Sequence, residues 1–193
     1  MGMLYYFPQI WTSDLTDAYQ RSKIQYGTSL AYPLSSISCH FTNSPNDRTK
    51  RLIPSTSRFA MASMGAYGYE FDLTKYSQKD FDEMHQYNEK YKNTERLILE
   101  GDLYRLVSPF EKNMFCQIVV SKDKKTAYLV GLKCIDEPDY IDDRIRIYGL
   151  DDERIYYIDE LNVSLSGKYL RTVGLVVREL GDFESFVWHF SAK

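Results

Sequence analysis

The stretch WTSDLTDA, residues 11–18, places two carboxylates at the junction between a short strand and a helix. The pattern predicts a helix from Thr16 to about Leu30, with Asp17 in its first turn, where a negative charge favours the helix dipole. Pro33 supplies the stop signal. Two carboxylates that follow a tryptophan at such a junction make this stretch a candidate active site.

Length and composition limit the classes of protein to which the chain can belong. Its 193 residues can form one sizeable domain or two small ones, but not a complete eight-stranded barrel, which needs about 250. The 24 basic and 27 acidic residues are well mixed and give a net charge of −3, so neither nucleic acid nor an anionic membrane is an expected partner. Three cysteines without paired spacing, and the lack of a signal peptide or a long apolar run, predict a cytoplasmic protein with reduced thiols.

A change of pattern near Ser108 predicts two domains, an α/β domain at residues 1–108 and an antiparallel β-sandwich at residues 109–193. In the first domain we predict strands at 36–41 and 66–73, helices at 16–30 and 56–64, and a loop at 42–50. Ser77 has the signature of an N-cap, and the long helix after it carries the apolar stripe Phe81, Met84, Tyr87 and Tyr91.

The sequence pattern of the second domain predicts short strands separated by charged turns. We predict one hairpin from 115–120 and 126–135, a second from 144–148 and 154–158, and further strands at 169–177 and 186–190. Phe186, Trp188 and Phe190 alternate with other side chains, which indicates a strand with one face on a core.

The WTSDLTDA stretch, with YFPQI (6–10) before it and KIQYGTS (23–29) after it, resembles bacterial α-galactosidases of glycoside hydrolase family 36. The family pattern reads Trp, Thr or Cys, Ser, Asp, Asp, Thr, Asp, Ala, and this chain departs from it only at Leu15. Three later segments also resemble the family: GAYGYE (65–70), LYRLVSPFE (103–111) and GDFESF (181–186). The similarity therefore covers essentially the whole chain.

This resemblance implies a fold made of the last β/α units of a (β/α)8 barrel followed by the β-sandwich. Family members are retaining enzymes that remove terminal α-galactose from melibiose- and raffinose-type sugars, without metal or cofactor. Their nucleophile is an aspartate in an upstream Lys-Trp-Asp-type motif, and no such motif occurs here. The resemblance thus implies a C-terminal part that carries the acid/base but not the nucleophile, and that is inactive alone.

The resemblance assigns the acid/base to Asp14, which aligns with the first aspartate of the family pattern. Asp17 is the reserve candidate, because Leu15 replaces the second aspartate of that pattern. From local sequence alone, the two carboxylates read as an N-cap and a first-turn charge. Trp11 offers a flat apolar face for a sugar, and core packing at the end of a strand is an equally weighted interpretation.

Other motifs favour structural roles over chemistry. Cys39-His40 is interpreted as a buried strand pair, because no third metal ligand or orienting carboxylate follows at a usual spacing. Pro45-Asn46 matches a Pro-Asn pair of the family, whereas Asp47-Arg48 replaces its His-Gln. The Gly-x-x-Gly at 65–68 enters a strand, so it is not a nucleotide loop.

The expected partners are α-galactoside sugars and either a second copy of the chain or the missing front half of the barrel. Three β/α units leave open strand edges and an uncovered apolar flank, which favour association. The alternative hypothesis is a non-catalytic structural or carbohydrate-binding module.

Overall fold

The computed structural model describes residues 2–135, 143–177 and 180–193 and divides the chain into two units. The first unit is Met1–Leu99 and the second is Glu100–Lys193. The second unit thus begins before Ser108, where the sequence predicted the boundary. It includes strand β3 (Asp102–Val107), which pairs with another strand of this unit.

The first unit is a series of strands and helices in alternation. Its helices are α1 (Ala18–Ser29), α2 (Ser55–Ser63) and α3 (Gln78–Glu100), and its strands are β1 (Ser38–Thr42) and β2 (Ala66–Glu70). The two strands are parallel, and a parallel bridge between Ile10 and Ile37 adds the segment before α1. The predicted α/β pattern is therefore confirmed for this unit.

The core of the first unit is aromatic where α2 and α3 cover the strands. Phe59 of α2 stacks on Tyr87 of α3 with ring centroids 4.4 Å apart, and Phe41 of β1 packs on the same tyrosine at 5.9 Å. Tyr91 donates a hydrogen bond of 2.7 Å to the carbonyl of Gly65. Burial raises the pKa of Tyr87 and of Tyr91 to about 12. The predicted stripe of α3 thus packs inward, although Phe81 is only half-buried.

The predicted cap at Ser77 is confirmed as a reciprocal pair with Asp80. The Ser77 hydroxyl lies 3.4 Å from the backbone nitrogen of Asp80, whose carboxylate accepts from the Ser77 backbone N–H at 2.8 Å. Hydrogen bonds from Ser77 hold the pKa of Asp80 below its ordinary value. Two backbone donors at the helix start are satisfied in this way.

Asp17 is the N-cap of α1, so the predicted start at Thr16 was too early and Asp17 does not lie in the first turn. One of its oxygens accepts from the backbone N–H of Gln20 at 3.0 Å. The other accepts from the Thr49 hydroxyl at 2.6 Å and from Arg51 at 2.8 Å. The Asp17 side chain is fully buried. Its hydrogen bonds join the start of α1 to the loop that contains Thr49 and Arg51.

The second unit is built on a six-stranded antiparallel sheet of order β3-β4-β5-β10-β7-β8. Its further strands are β4 (Met114–Val120), β5 (Thr126–Lys133), β7 (Ile155–Ile158), β8 (Val163–Ser166) and β10 (Ser185–Ala192). A two-stranded sheet of β6 (Asp143–Ile145) and β9 (Leu175–Val177), with helix α4 (Gly167–Thr172), completes the unit. Both sheets contribute to one apolar core, which includes Ile145, Leu175 and Trp188.

The hairpin of β4 and β5 is confirmed, as is the alternating burial of Phe186, Trp188 and Phe190 on β10. The predicted hairpin of 144–148 with 154–158 is wrong, because β6 pairs with β9, and β7 pairs with β8 and β10.

The predicted strand at 169–177 is also wrong, because this segment contains α4 as well as β9. The Ser166 hydroxyl caps the backbone N–H of Tyr169 at 3.1 Å and so begins α4. Gly174, with φ at +78°, then reverses the chain into β9.

We expect Asp17→Ala to lower the free energy of unfolding by about 2 to 3 kcal/mol, because it removes a helix cap and leaves Arg51 without its carboxylate. The matched control is Asp14→Ala, whose side chain is 73% exposed and whose loss should change stability by no more than about 0.5 kcal/mol. Urea denaturation followed by circular dichroism measures both variants. Equal losses in the two would contradict the structural role of Asp17.

Gly131→Ala tests the packing of the second unit. A Cβ at Gly131 would lie 2.0 Å from the ring of Phe186, its cross-strand partner. Overpacking of this kind should cost about 1 to 3 kcal/mol. Thermal unfolding followed by circular dichroism measures it, with Gly2→Ala as control because its added Cβ meets no atom within 4 Å. A Gly131→Ala variant as stable as the control would show that the Phe186 ring moves aside freely.

Candidate active site

Asp14 and Trp11 are joined by a direct hydrogen bond at the exposed surface of the first unit. The indole Nε1–H of Trp11 donates to Oδ1 of Asp14 at 2.8 Å. The other oxygen, Oδ2, lies 3.7 Å from Nη2 of Arg48, whose side chain is 66% exposed. One carboxylate oxygen therefore accepts from a neutral donor, while the second faces an exposed cation and solvent.

The Trp11 ring is not part of the core. It is 40% exposed, and its ring centroid lies 4.6 Å from that of His40 at an interplanar angle of 35°. The guanidinium carbon of Arg21 lies 5.4 Å from the ring centroid. Trp11 thus presents apolar surface to solvent beside the exposed carboxylate of Asp14.

Arg21, which the sequence pattern did not single out, is the buried side chain that supports this segment. It is 3% exposed and donates to Oγ1 of Thr12 at 2.7 Å and to the carbonyl of Ser38 at 2.9 Å. The buried positions of α1 recur at helical spacing but are mostly polar: Ala18, Arg21, Ser22, Gln25 and Ser29. Apolar periodicity does not reveal such a face, because polar residues occupy the other sides of the helix as well.

Asp17 differs from Asp14 in burial and in bonding. Both of its oxygens accept hydrogen bonds, from the Gln20 backbone and from Thr49 and Arg51. A carboxylate held in this way in the interior has no face open to a substrate. The two aspartates therefore lie close in sequence but have different surroundings.

The loop after β1 brings Arg48 to Asp14. Asn46 is buried, and its side-chain oxygen accepts from the backbone N–H groups of Arg48 and Thr49, both at 3.1 Å. Its amide nitrogen donates to Oγ1 of Thr16 at 3.2 Å. This turn, characteristic of an Asn side chain, fixes the backbone from which Arg48 extends.

Cys39 and His40 have separate environments, so the predicted buried pair is correct only for the cysteine. Burial raises the pKa of the Cys39 thiol to about 11, and Sγ lies 3.4 Å from the Met64 carbonyl. His40 is half-buried, with Nδ1 3.4 Å from a carboxylate oxygen of Glu70. A Cβ at Gly68 would lie 3.0 Å from the His40 ring, so this glycine makes room for the imidazole.

Metal chemistry has no candidate centre in the ranges 2–135, 143–177 and 180–193. Within them no group of three or more His, Cys, Asp or Glu side chains is arranged to hold a metal ion. No helix in those ranges is long and apolar enough to cross a membrane.

A cavity of about 350 Å³ in the second unit is lined in part by Arg144, Arg146 and Tyr148. Neither Trp11 nor Asp14 borders this cavity.

Two family models match the chain. The model described as Melibiase matches residues 1–101, and the model described as Glycosyl hydrolase family 36 C-terminal domain matches residues 115–190. The first match contains the Trp11–Asp14 pair, and the second lies within the β-sheet unit.

Similar proteins are α-galactosidases. The chain is 39% identical over 192 residues to alpha-galactosidase AgaA of Geobacillus stearothermophilus, and 36% identical over 193 residues to alpha-galactosidase Mel36A of Lactobacillus acidophilus. These alignments cover 99% and 100% of the chain but 26% of each relative. The chain thus spans about a quarter of the length of the curated relatives that it matches.

Solved structures agree with these matches. The crystal structure of α-galactosidase AgaB of G. stearothermophilus superposes with a TM-score of 0.95 at 38% identity, over 100% of this chain and 27% of that one. A variant of AgaA crystallised in complex with raffinose superposes equally well. The chain belongs to glycoside hydrolase family 36, the family of these α-galactosidases.

Proposed function

We propose that this chain is the C-terminal part of a retaining α-galactosidase and that Asp14 is its catalytic acid/base. The observation that carries the proposal is the exposed carboxylate of Asp14, held through one oxygen by the indole of Trp11. The first unit then forms the last β/α units of a (β/α)8 barrel. Its parallel strands and intervening helices support that assignment.

The geometry of Asp14 suits proton transfer to a departing sugar oxygen. Because Oδ1 accepts the Trp11 N–H, the transferable proton belongs on Oδ2, the oxygen that faces solvent and Arg48. A general acid and later general base at this position would donate the proton to the glycosidic oxygen and then take one from water. The exposed part of the Trp11 ring beside it would contact a sugar ring.

The retaining reaction needs a second carboxylate, about 5 to 5.5 Å from the first. Asp17 is a poor candidate for that role because its oxygens are taken up by Gln20, Thr49 and Arg51 in the interior. We therefore assign the nucleophile to a segment outside this chain, in agreement with the share of each relative that the chain spans. The partner that completes the site is the front half of the barrel, and association with it or with a second copy stays a prediction.

The substrates follow from the family and from its structures. Relatives from G. stearothermophilus were crystallised in complex with raffinose and with stachyose. We infer that the complete enzyme acts on the terminal α-galactosyl groups of such sugars, without metal or cofactor. A cytoplasmic location remains an expectation from the sequence.

We expect the purified chain alone to hydrolyse a chromogenic α-galactoside no faster than its Asp14→Asn variant. Asp14 cannot both attack the anomeric carbon and protonate the leaving group. Release of the chromophore, followed by absorbance, measures both proteins at equal concentration. Hydrolysis that disappears in Asp14→Asn would place a nucleophile within this chain or its assemblies and contradict the incomplete site.

A chimera tests the acid/base directly: this chain replaces the matching quarter of AgaA. We expect Asp14→Asn to lower kcat for raffinose by about 10²- to 10⁴-fold, the usual contribution of general acid catalysis. The loss should be smaller for an aryl α-galactoside, because an acidic phenol leaves with little help from a proton.

The comparison variant in the chimera is Asp17→Asn, which keeps the shape of the helix cap but weakens the bonds to Thr49 and Arg51; its loss of activity should be equal on the two substrates, because it acts through folding and not through leaving-group protonation. Rates of galactose release on both substrates measure the outcome. If Asp17→Asn is inactive while Asp14→Asn stays active, the acid/base role belongs to Asp17 and not to Asp14. Equal losses on both substrates in Asp14→Asn would indicate a role other than leaving-group protonation.

A further inference from the structure

Arg21 carries a buried positive charge on the inner face of α1. It is 3% exposed, and no described ion pair includes it. Its guanidinium donates to oxygens of four residues: Gln25 Oε1 at 3.1 Å, Thr12 Oγ1 at 2.7 Å, the Ser13 carbonyl at 3.4 Å and the Ser38 carbonyl at 2.9 Å. A buried charge is costly unless hydrogen bonds replace its hydration, and these neutral oxygens do so here.

The contacts of Arg21 converge on the segment that ends at Asp14. Two of its hydrogen bonds reach Thr12 and Ser13, and its guanidinium carbon lies 5.4 Å from the Trp11 ring centroid, within the range of a cation–π interaction. Three consecutive residues before Asp14 are therefore in contact with one side chain.

Asp14 itself has no contact with Arg21. Its described partners are the indole N–H of Trp11 and the exposed Arg48. Residues 11–17 belong to neither a helix nor a strand, so no backbone ladder fixes their conformation. Asp14 is thus held through Trp11 and Arg48, and the Trp11 ring itself lies between neighbours that include His40 and Arg21.

We propose that Arg21 is a positioning residue for Asp14, which it orients through Trp11 and the Thr12-Ser13 backbone. The proposal deepens the proposed function, since it rests on Asp14 as the acid/base. A catalytic group must be held within about 0.5 Å of its working position, and a rigid buried side chain achieves this better than a surface contact.

Only the planar guanidinium can make this set of contacts at once. It presents five N–H donors in a fixed fork, whereas a lysine ammonium is a point charge on a flexible stem. Arg21→Lys keeps the charge near the Trp11 ring but cannot reach Thr12, Gln25 and Ser38 together. The arginine therefore acts by orientation and not by charge alone.

The test measures the Trp11–Asp14 bond in the whole chain by ¹⁵N nuclear magnetic resonance of the tryptophan side chains. The chain has two tryptophans, so two indole N–H signals are expected, and Trp11→Phe assigns them. Asp14→Asn changes the acceptor of the Trp11 indole N–H from a carboxyl to an amide group and should move the Trp11 signal. The Trp188 signal, from the β-sheet unit, serves as the internal reference.

We expect Asp14→Asn to move the Trp11 signal in the native background but not in the Arg21→Gln background. In Arg21→Lys the response should be intermediate. The matched control is Lys23→Gln, which removes another cation of α1, one that lies 5.0 Å from the Tyr19 ring centroid and does not touch the Trp11 segment. That background should show the full native response.

A folded Arg21→Gln protein in which Asp14→Asn moves the Trp11 signal as far as in the native chain would overturn the proposal. If Arg21→Gln does not fold, as judged by the Trp188 signal and circular dichroism, Arg21→Lys decides: a reduced response supports the proposal and a full one overturns it. The result is independent of hydrolysis. The chimera assay tests the acid/base assignment, whereas the spectrum tests the positioning role of Arg21.

Discussion

The buried carboxylate of Asp17 is the constraint on which the arrangement of the first unit at Asp14 depends. It accepts hydrogen bonds from the start of α1 and from Thr49 and Arg51 in the loop after β1. A carboxylate in the interior is costly unless such donors surround it, so helix and loop must meet at one place. The same loop carries Arg48, which is why a second, exposed carboxylate at Asp14 has a cation beside it.

Helix α1 contacts its neighbours through a polar face. Gln25 accepts from Arg21 and donates to the carbonyl of Met61 at 2.9 Å, which joins the first helix to the second. An apolar stripe would define the position and rotation of α1 less sharply, because hydrophobic contacts are not directional. Directional bonds from a polar network instead specify where residues 11–14 lie, which is the placement that the proposed role of Asp14 requires.

The sequence indicated the candidate site residues but not the side chain that supports them. Trp11, Asp14 and Asp17 were candidates because carboxylates and a tryptophan at a strand-to-helix junction form a recognisable pattern, and their catalytic roles stay predictions. Arg21 was missed because its function depends on what lies around it: a surface arginine and a buried one look alike in a sequence. In the second unit, the hairpin of β4 and β5 was found from local turn chemistry. The pairing of β6 with β9 was not, because it joins strands that are far apart along the chain.

The sequence by itself determined the alternation of strands and helices in the first unit, the cap at Ser77, the β-character of the second unit and the family. These features depend on side-chain periodicity, on short-range hydrogen bonding and on motifs, all of which are local. Only the tertiary structure decided which aspartate is buried and which is exposed. Burial depends on residues distant in sequence, here Thr49 and Arg51 against Asp17, and the free energy of a carboxylate is set by those partners.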